Sequence, residues 1–246
     1  MVLSIQHPLS RDSQSMPERS NQLLNLLPKS DLQNLLIDAK RLVLPAQTNL
    51  YEVDLPSERV YFPLQGIVSI VNLDEDGSIA EAAAVSSEGI VGFAGFLGGN
   101  TSSSLAIVRS KCTVISVSVN ILQQEFTRGG ELQRILLLYT QALLSQMAQN
   151  VFCSCHHTLE QRLARWLSFY SDRLKTQTLL LTQETLADLL GVRRSSLSAI
   201  AIDLRHKNLI DYNRGKIQIL NPQALKQIAC NCDRLISDEY RRLLNL

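Results

Sequence analysis

Residues 182–205 constrain the fold more than any other part of this 246-residue chain. Thr182 and Glu184 are typical of a helix start, because threonine caps the first turn and a carboxylate favours its positive end. Gly191 follows the last apolar residues of that helix and suits a turn that needs a positive φ. A second helix is predicted to begin near Arg194. This spacing predicts a helix-turn-helix, whose second helix would lie in the major groove of DNA.

A β-hairpin is predicted directly after these two helices. The apolar-rich segments Leu209–Tyr212 and Lys216–Leu220 flank the turn Asn213-Arg214-Gly215, and glycine supplies the positive φ that such turns require. Arg214 and Lys216 lie at the tip, where a phosphate backbone could pass. A hairpin in this position is typical of the wing of a winged helix-turn-helix.

The winged helix-turn-helix therefore predicts double-stranded DNA as a partner. Arg194 is the candidate for a bidentate contact to guanine, while phosphate contacts would position the protein. The predicted DNA-binding residues are Thr182, Gln183, Arg193, Arg194, Ser195, Ser196, Ser198, Ala199, Arg214 and Lys216. The alternative is a ligand-receptor or protein-interaction module without specific DNA binding, in which the two helices serve only for packing or protein contacts.

Composition limits the other function classes. The net charge of +1 gives no general attraction to nucleic acid, so DNA binding depends on the local motif. The sequence predicts no membrane span and no secretory signal, and five cysteines favour the reducing cytoplasm. Residues 1–20, rich in Ser, Gln and Pro, are predicted to form a mobile tail. No catalytic motif is found, so we expect no enzyme.

Residues 21–130, in the first half of the chain, contain short β-branched segments separated by turn signals. Arg59–Phe62, Gly66–Leu73 and Cys112–Val119 are three of them, and Asp74–Gly77 is a predicted hairpin turn. Many short strands at this spacing predict a closed antiparallel β-barrel or jelly roll.

A long helix is predicted over residues 131–157. Its apolar residues recur at three- and four-residue steps and predict one stripe that pairs with a second copy of the chain. The predicted dimer contacts are Leu132, Leu136, Tyr139, Leu143 and Met147. The alternative is that this stripe packs on the chain's own β-domain.

The motifs together resemble the Crp/Fnr family of bacterial transcription regulators. The resemblance lies in Val60–Pro63, Gly66–Ser69, Glu88–Gly92 and Thr182–Leu220. It implies an α+β fold with a cyclic-nucleotide-binding-like β-barrel, a long dimerisation helix and a C-terminal winged helix. The corresponding domains are residues 21–130, 131–157 and 158–246. It also implies a homodimer on a two-fold symmetric DNA site, with RNA polymerase as a further partner of an activator.

The sensor domain departs from the family members that bind cAMP. Those members hold the ribose with a Gly-Glu pair and the cyclic phosphate with an arginine. Here Phe93 replaces the glutamate and Ser104 or a neighbour replaces the arginine. The sequence therefore predicts an effector other than cAMP, or none, and no cofactor is assigned. The candidate effector pocket is Gly92, Phe93, Gly95, Phe96, Ser103 and Ser104.

Two groups of cysteine and histidine residues suggest one further alternative for the function. Cys153-Ser154-Cys155-His156-His157 ends the long helix, and Cys230-Asn231-Cys232 lies near the C-terminus. Thiolates and imidazoles can hold zinc or an iron–sulfur cluster, so a metal- or redox-sensing regulator is an alternative function. Cys-x-Cys is tighter than the usual Cys-x₂-Cys loop. We therefore expect no metal site and small packing cysteines instead.

Overall fold

The computed structural model describes residues 21–75, 77–99 and 101–246. The predicted mobile tail and Asp76 of the predicted hairpin turn lie outside these residues. No helix in the described part of the chain combines the length and the apolar character that a bilayer crossing requires.

The first half of the chain forms two antiparallel sheets between Lys40 and Ser118, which together we call the β-domain. One has the strand order β1-β7-β3 and the other has the order β2-β6-β4-β5. The strands are β1 (Lys40–Leu44), β2 (Asn49–Tyr51), β3 (Arg59–Gln65), β4 (Val68–Leu73), β5 (Ile79–Val85), β6 (Ser104–Val108) and β7 (Cys112–Ser118). Of the two predicted alternatives, the described residues form the pair of sheets of a jelly roll and not a closed barrel, because the register gives each sheet its own edge strands.

Short helices surround the sheets, and one long helix leaves them. They are α1 (Gln22–Leu26), α2 (Lys29–Leu35), α3 (Ala94–Leu97), α4 (Val119–Arg128) and α5 (Glu131–His156). Asn21 holds α1 on the β-domain, since its amide Nδ2 donates to the carbonyl oxygens of Pro63 and Gly89 at 2.9 Å each. The long helix α5 covers almost all of the range predicted for it.

The second half forms the winged domain. Its elements are α6 (Leu159–Leu174), β8 (Thr178–Leu180), α7 (Gln183–Leu190), α8 (Arg194–His206), β9 (Ile210–Asn213), β10 (Lys216–Ile219) and α9 (Pro222–Ile228). A capping box of Thr158 and Gln161 starts α6. The three strands form one antiparallel sheet in the order β8-β10-β9.

The last helix, α10 (Cys232–Leu244), leaves the winged domain and packs along α5. Tyr240 and Leu244 join the core of the β-domain, and the Tyr240 hydroxyl donates to Gln146 Oε1 of α5 at 2.9 Å. The sequence assigned residues 158–246 to one domain and gave this helix no separate role. In the structure α10 therefore ties the C-terminus to the long helix.

The winged domain docks on the four-stranded sheet. Ile67, Val71 and Ala84 of the β-domain belong to the same buried cluster as Leu163 and Leu167 of α6. The two halves of the chain therefore share a continuous apolar contact, which orients the helix-turn-helix relative to the sensor sheets.

Candidate nucleic-acid interface and sensor pocket

Local capping sets the geometry of the helix-turn-helix. The Thr182 side chain accepts a hydrogen bond from the Thr185 amide and caps α7, as predicted. Gly191 ends α7 with φ +62°, the left-handed conformation that favours glycine. Leu186, Leu190 and Leu197 are buried where α7 and α8 cross. These features fix α8 against α7 at its first turn.

The predicted DNA-binding residues lie on α7, α8 and the wing and are largely open to solvent. Eight of the ten are exposed, and Gln183 and Ser198 are half-buried because the Ser198 hydroxyl donates to Gln183 Oε1 at 2.8 Å. The backbone N–H of Gln183 donates to the Tyr212 hydroxyl at 3.1 Å. These two hydrogen bonds join α7, α8 and the wing into one rigid unit, while the first turn of α8 remains open.

The wing places two positive charges beside α8. Arg214 and Gly215 take φ +43° and +79° in the turn between β9 and β10. Within the described residues no carboxylate pairs with Arg193, Arg194, Arg214 or Lys216, whereas Arg205 binds Asp211 at 3.0 Å. Exposed cations without a carboxylate partner are suited to contacts with the phosphate backbone of a duplex.

Helix α5 carries two apolar stripes, and the structure separates them. Leu132, Leu136, Tyr139 and Leu143 are buried against their own chain, and Met147 packs on the same core. This burial corrects the predicted dimer contacts, because covered side chains cannot meet a partner. As far as Val151, the exposed residues of α5 recur at alternating steps of three and four and are Arg134, Leu137, Gln141, Leu144, Ala148 and Val151. That spacing is the heptad of a coiled-coil seam.

The predicted effector pocket is almost filled by the protein. The cavity beside α3 has a volume of about 10 Å³ and is lined by Gly92 and Gly95, with Tyr51 and Ser102 opposite. This volume holds about one water molecule. Phe96 is instead buried in the core, with its ring centroid 5.4 Å from that of Phe126.

The remaining predicted pocket residues are dispersed. Phe93 packs at the edge of the core, Ser103 is exposed, and Ser104 is buried with its hydroxyl 2.9 Å from that of Ser102. The predicted set therefore does not form one ligand-sized pocket in this conformation.

A half-buried carboxylate at the domain boundary was missed by the sequence analysis. Glu81 of β5 accepts hydrogen bonds from Trp166 Nε1 at 3.1 Å and from the Tyr170 hydroxyl at 2.6 Å, and it also binds Ser69. The Ser69 hydroxyl accepts from Arg109 Nε at 3.0 Å. Burial raises the pKa of Glu81 above its ordinary value, against the opposing effect of these donors. We call Ser69, Glu81, Arg109, Trp166 and Tyr170 the docking network.

Two family models match the chain, one in each half. A cyclic nucleotide-binding domain covers residues 41–128, and a Crp-like helix-turn-helix domain covers residues 161–228. The chain belongs to the Crp/Fnr family. The family explains why a sensor-type pair of sheets, a long helix and a winged helix follow each other here.

Relatives within the Crp/Fnr family include two proteins named global nitrogen regulator. They come from Synechococcus elongatus and Nostoc sp., and each is 24% identical to this chain over 70% of its length, covering 82% and 81% of their own lengths.

Solved Crp/Fnr structures share the fold. The c-di-GMP-responsive global regulator CLP of Xanthomonas campestris superimposes with a TM-score of 0.65 at 18% identity, covering 79% of this chain and 100% of that one. FixK2 of Bradyrhizobium japonicum gives 0.65 at 20% identity, covering 78% and 98%. At these identities the likeness establishes the fold alone.

Proposed function

We propose that this chain is a homodimeric transcription regulator of the Crp/Fnr type that binds a two-fold symmetric DNA site. The observation that carries the proposal is the open first turn of α8, where Arg194 is exposed and unpaired while α7 and the wing hold the helix rigidly. A helix presented in this way can enter the major groove with its N-terminal residues on base edges. Contact with the chromosome would place the protein in the cytoplasm.

The predicted residues divide into two roles. Arg194 reads guanine through a bidentate contact, and Ser195, Ser198 and Ala199 complete the surface that faces the bases. The phosphate contacts come from Thr182, Gln183, Arg193, Ser196, Arg214 and Lys216. We assign no catalytic residue, and a surface for RNA polymerase is a further partner site only if the regulator activates.

Replacing Arg194 tests the base-reading role. Arg194→Ala should weaken binding to a selected duplex by about 1–3 kcal/mol per lost contact, or roughly 5- to 150-fold, and should relax the preference for guanine. The measurement is a titration of the labelled duplex against an unrelated one. Arg234→Ala, which removes an exposed arginine on α10, is the matched control. Equal affinity of Arg194→Ala and the unchanged protein for the selected duplex would remove Arg194 from the interface.

The wing should contribute without reading sequence. Lys216→Gln should weaken binding to selected and unrelated duplexes by the same factor, because a phosphate contact carries no base information. The slope of log affinity against log salt concentration should become shallower by about 0.9, the value for one phosphate contact. An unchanged slope would show that the wing does not touch the backbone.

The proposed dimer uses the exposed seam of α5, not the predicted stripe. Leu137, Leu144 and Val151 are 49%, 61% and 64% exposed and are each seven residues apart. Large apolar side chains at this spacing are costly to leave in water and pair well with a second copy of the same helix. Two copies joined along α5 would present two α8 helices, as a symmetric site requires.

The proposed regulator does not depend on cAMP. Phe93 stands where cAMP-binding members carry glutamate, and the space beside α3 is about 10 Å³. A cyclic phosphate buried there would lack a compensating charge. The effector is therefore a different small molecule that opens the β-domain, or the protein acts without one.

A further inference from the structure

The folded chain brings together four metal-binding side chains that are far apart in the sequence. Two lie at the C-terminal end of α5, one lies between α9 and α10, and one is the first residue of α10. The side chains are Cys153, His157, Cys230 and Cys232, which we call the Cys₃His cluster, and their ligand atoms all lie within 4.8 Å of one another. We propose that the Cys₃His cluster binds one Zn²⁺ ion per chain.

The distances fit one tetrahedral ion. The Cys153 and Cys230 sulfur atoms are 3.5 Å apart, and Cys232 Sγ is 3.4 Å from His157 Nδ1. With Zn–S bonds of about 2.3 Å, a regular tetrahedron has sulfur atoms about 3.8 Å apart, and a nitrogen lies slightly closer to a sulfur. An iron–sulfur cluster would need its thiolates farther apart, because several irons and sulfides lie between them. The spacing therefore favours a single zinc ion over a cluster.

The surroundings balance the charge of such a site. Three thiolates, one neutral imidazole and Zn²⁺ carry a net charge of −1. Arg165 interacts electrostatically with Cys153, Cys230 and Cys232, and its buried Nε has no hydrogen-bond partner among the described residues. Its other nitrogens bind Asp233 at 2.8 Å and Asn150 at 3.1 Å. A fixed guanidinium beside the thiolates stabilises their ionised forms, as outer-shell partners do in zinc sites.

An ion could reach the cluster from solvent. A surface cavity of about 370 Å³ is lined by His157, Cys230 and Cys232, with Gln149 and Phe152 at its edge. Gln149 Nε2 also donates to Cys232 Sγ at 3.2 Å and orients that ligand. Cys153 closes the inner side, since it is buried in the last turn of α5. The arrangement thus has an entry path and an enclosed binding position.

The ion would link the connection between α5 and α6 to the start of α10. His157 is the extended residue between α5 and α6, while Cys230 and Cys232 flank the start of α10. A bond from each of these segments to one metal would lock the angle between the long helix and the winged domain. This consequence rests on the proposed function, because the same angle sets the distance between the two α8 helices of a dimer.

Metal content tests the site without any DNA. Protein purified with zinc and then dialysed should retain about one zinc per chain by elemental analysis. Cys232→Ser and His157→Gln should lose zinc affinity by more than about 100-fold, beyond the effect of losing an outer-shell partner. Cys155→Ser is the matched control, because Cys155 is exposed on the same turn and lies outside the cluster. Retention of zinc by Cys232→Ser, or loss of it by Cys155→Ser alone, would overturn the proposal.

A spectroscopic measurement on the unchanged chain tests the site even if the variants fail to fold. Co²⁺ added to the metal-free, reduced protein should give the visible bands of a tetrahedral site and thiolate-to-cobalt charge transfer, with an end point at one equivalent. Octahedral cobalt spectra, or iron with equimolar sulfide after anaerobic purification, would contradict a single-zinc site. Failure of DNA binding with the zinc site intact would reject the proposed function and leave this inference standing.

Discussion

Leu144→Asp should convert the protein from a dimer to a monomer. Leu144 is 61% exposed at the middle of the α5 seam, so its burial depends on a second copy of the chain. Burying a leucine side chain stabilises an interface by about 2 kcal/mol, and the substitution removes one such side chain from each of the two protomers. The dimer dissociation constant should therefore rise about 1000-fold. The facing aspartates would add repulsion. Sedimentation at micromolar concentration measures the change.

The DNA consequence should be as large. A monomer presents one α8 helix and cannot contact the second half-site. Affinity for a symmetric duplex should therefore fall when dimerisation is lost. Ile37→Asp is the control, because Ile37 is 78% exposed in the segment between α2 and β1 and is not part of the α5 seam. A Leu144→Asp protein that remains dimeric would show that the partner docks on another surface.

Glu81→Ala should separate the winged domain from the β-domain. The change leaves Trp166 Nε1 without its acceptor and the Tyr170 hydroxyl with only the Ser69 hydroxyl, 3.0 Å away. It also removes the carboxylate whose charge interacts with Arg109. Each buried group left unpaired costs about 1–3 kcal/mol, so the free energy of unfolding should fall by about 3–5 kcal/mol. Urea unfolding measures this loss.

Fluorescence gives a second readout of the same change. Trp166 is the single tryptophan of the chain, is buried, and stacks on Tyr170 with ring centroids 3.6 Å apart. Its emission should shift to the red in Glu81→Ala, whereas Glu75→Ala on the exposed β4–β5 connection should leave it unchanged. An unchanged spectrum and an unchanged urea midpoint would show that the docking network does not hold the domains.

The same carboxyl should make docking depend on pH. Burial raises the pKa of Glu81, so in the window between its ordinary and its raised pKa the folded state binds more protons than the unfolded state. The contribution of Glu81 to stability is therefore present below the ordinary pKa and declines as pH rises through the raised value. The difference in unfolding free energy between the unchanged protein and Glu81→Gln, measured against pH, should show this decline.

Local signals predicted the winged helix well. Capping by Thr182 and the positive φ of Gly191 each depend on neighbours within a few residues. The start and end of α7 and the start of α8 therefore follow closely from the sequence.

Contacts between distant segments could not be predicted in the same way. The periodicity of α5 showed apolar stripes, but only the packing of the β-domain and α10 shows which stripe is covered. Cys153 and Cys230 are 77 residues apart and meet because α10 returns along α5. Glu81 likewise gains its partners from α6, so its role depends on domain docking and not on a local motif.

Selection of binding sites from random duplex DNA tests the central claim most directly. Purified, reduced protein should enrich a two-fold symmetric motif whose half-sites are about one helical turn apart, with guanine at the position that Arg194→Ala relaxes. Affinity for the selected duplex should fall steeply as salt increases. A dimeric protein that enriches no motif, and whose binding is insensitive to salt, would contradict the assignment of α8 as a DNA-reading helix.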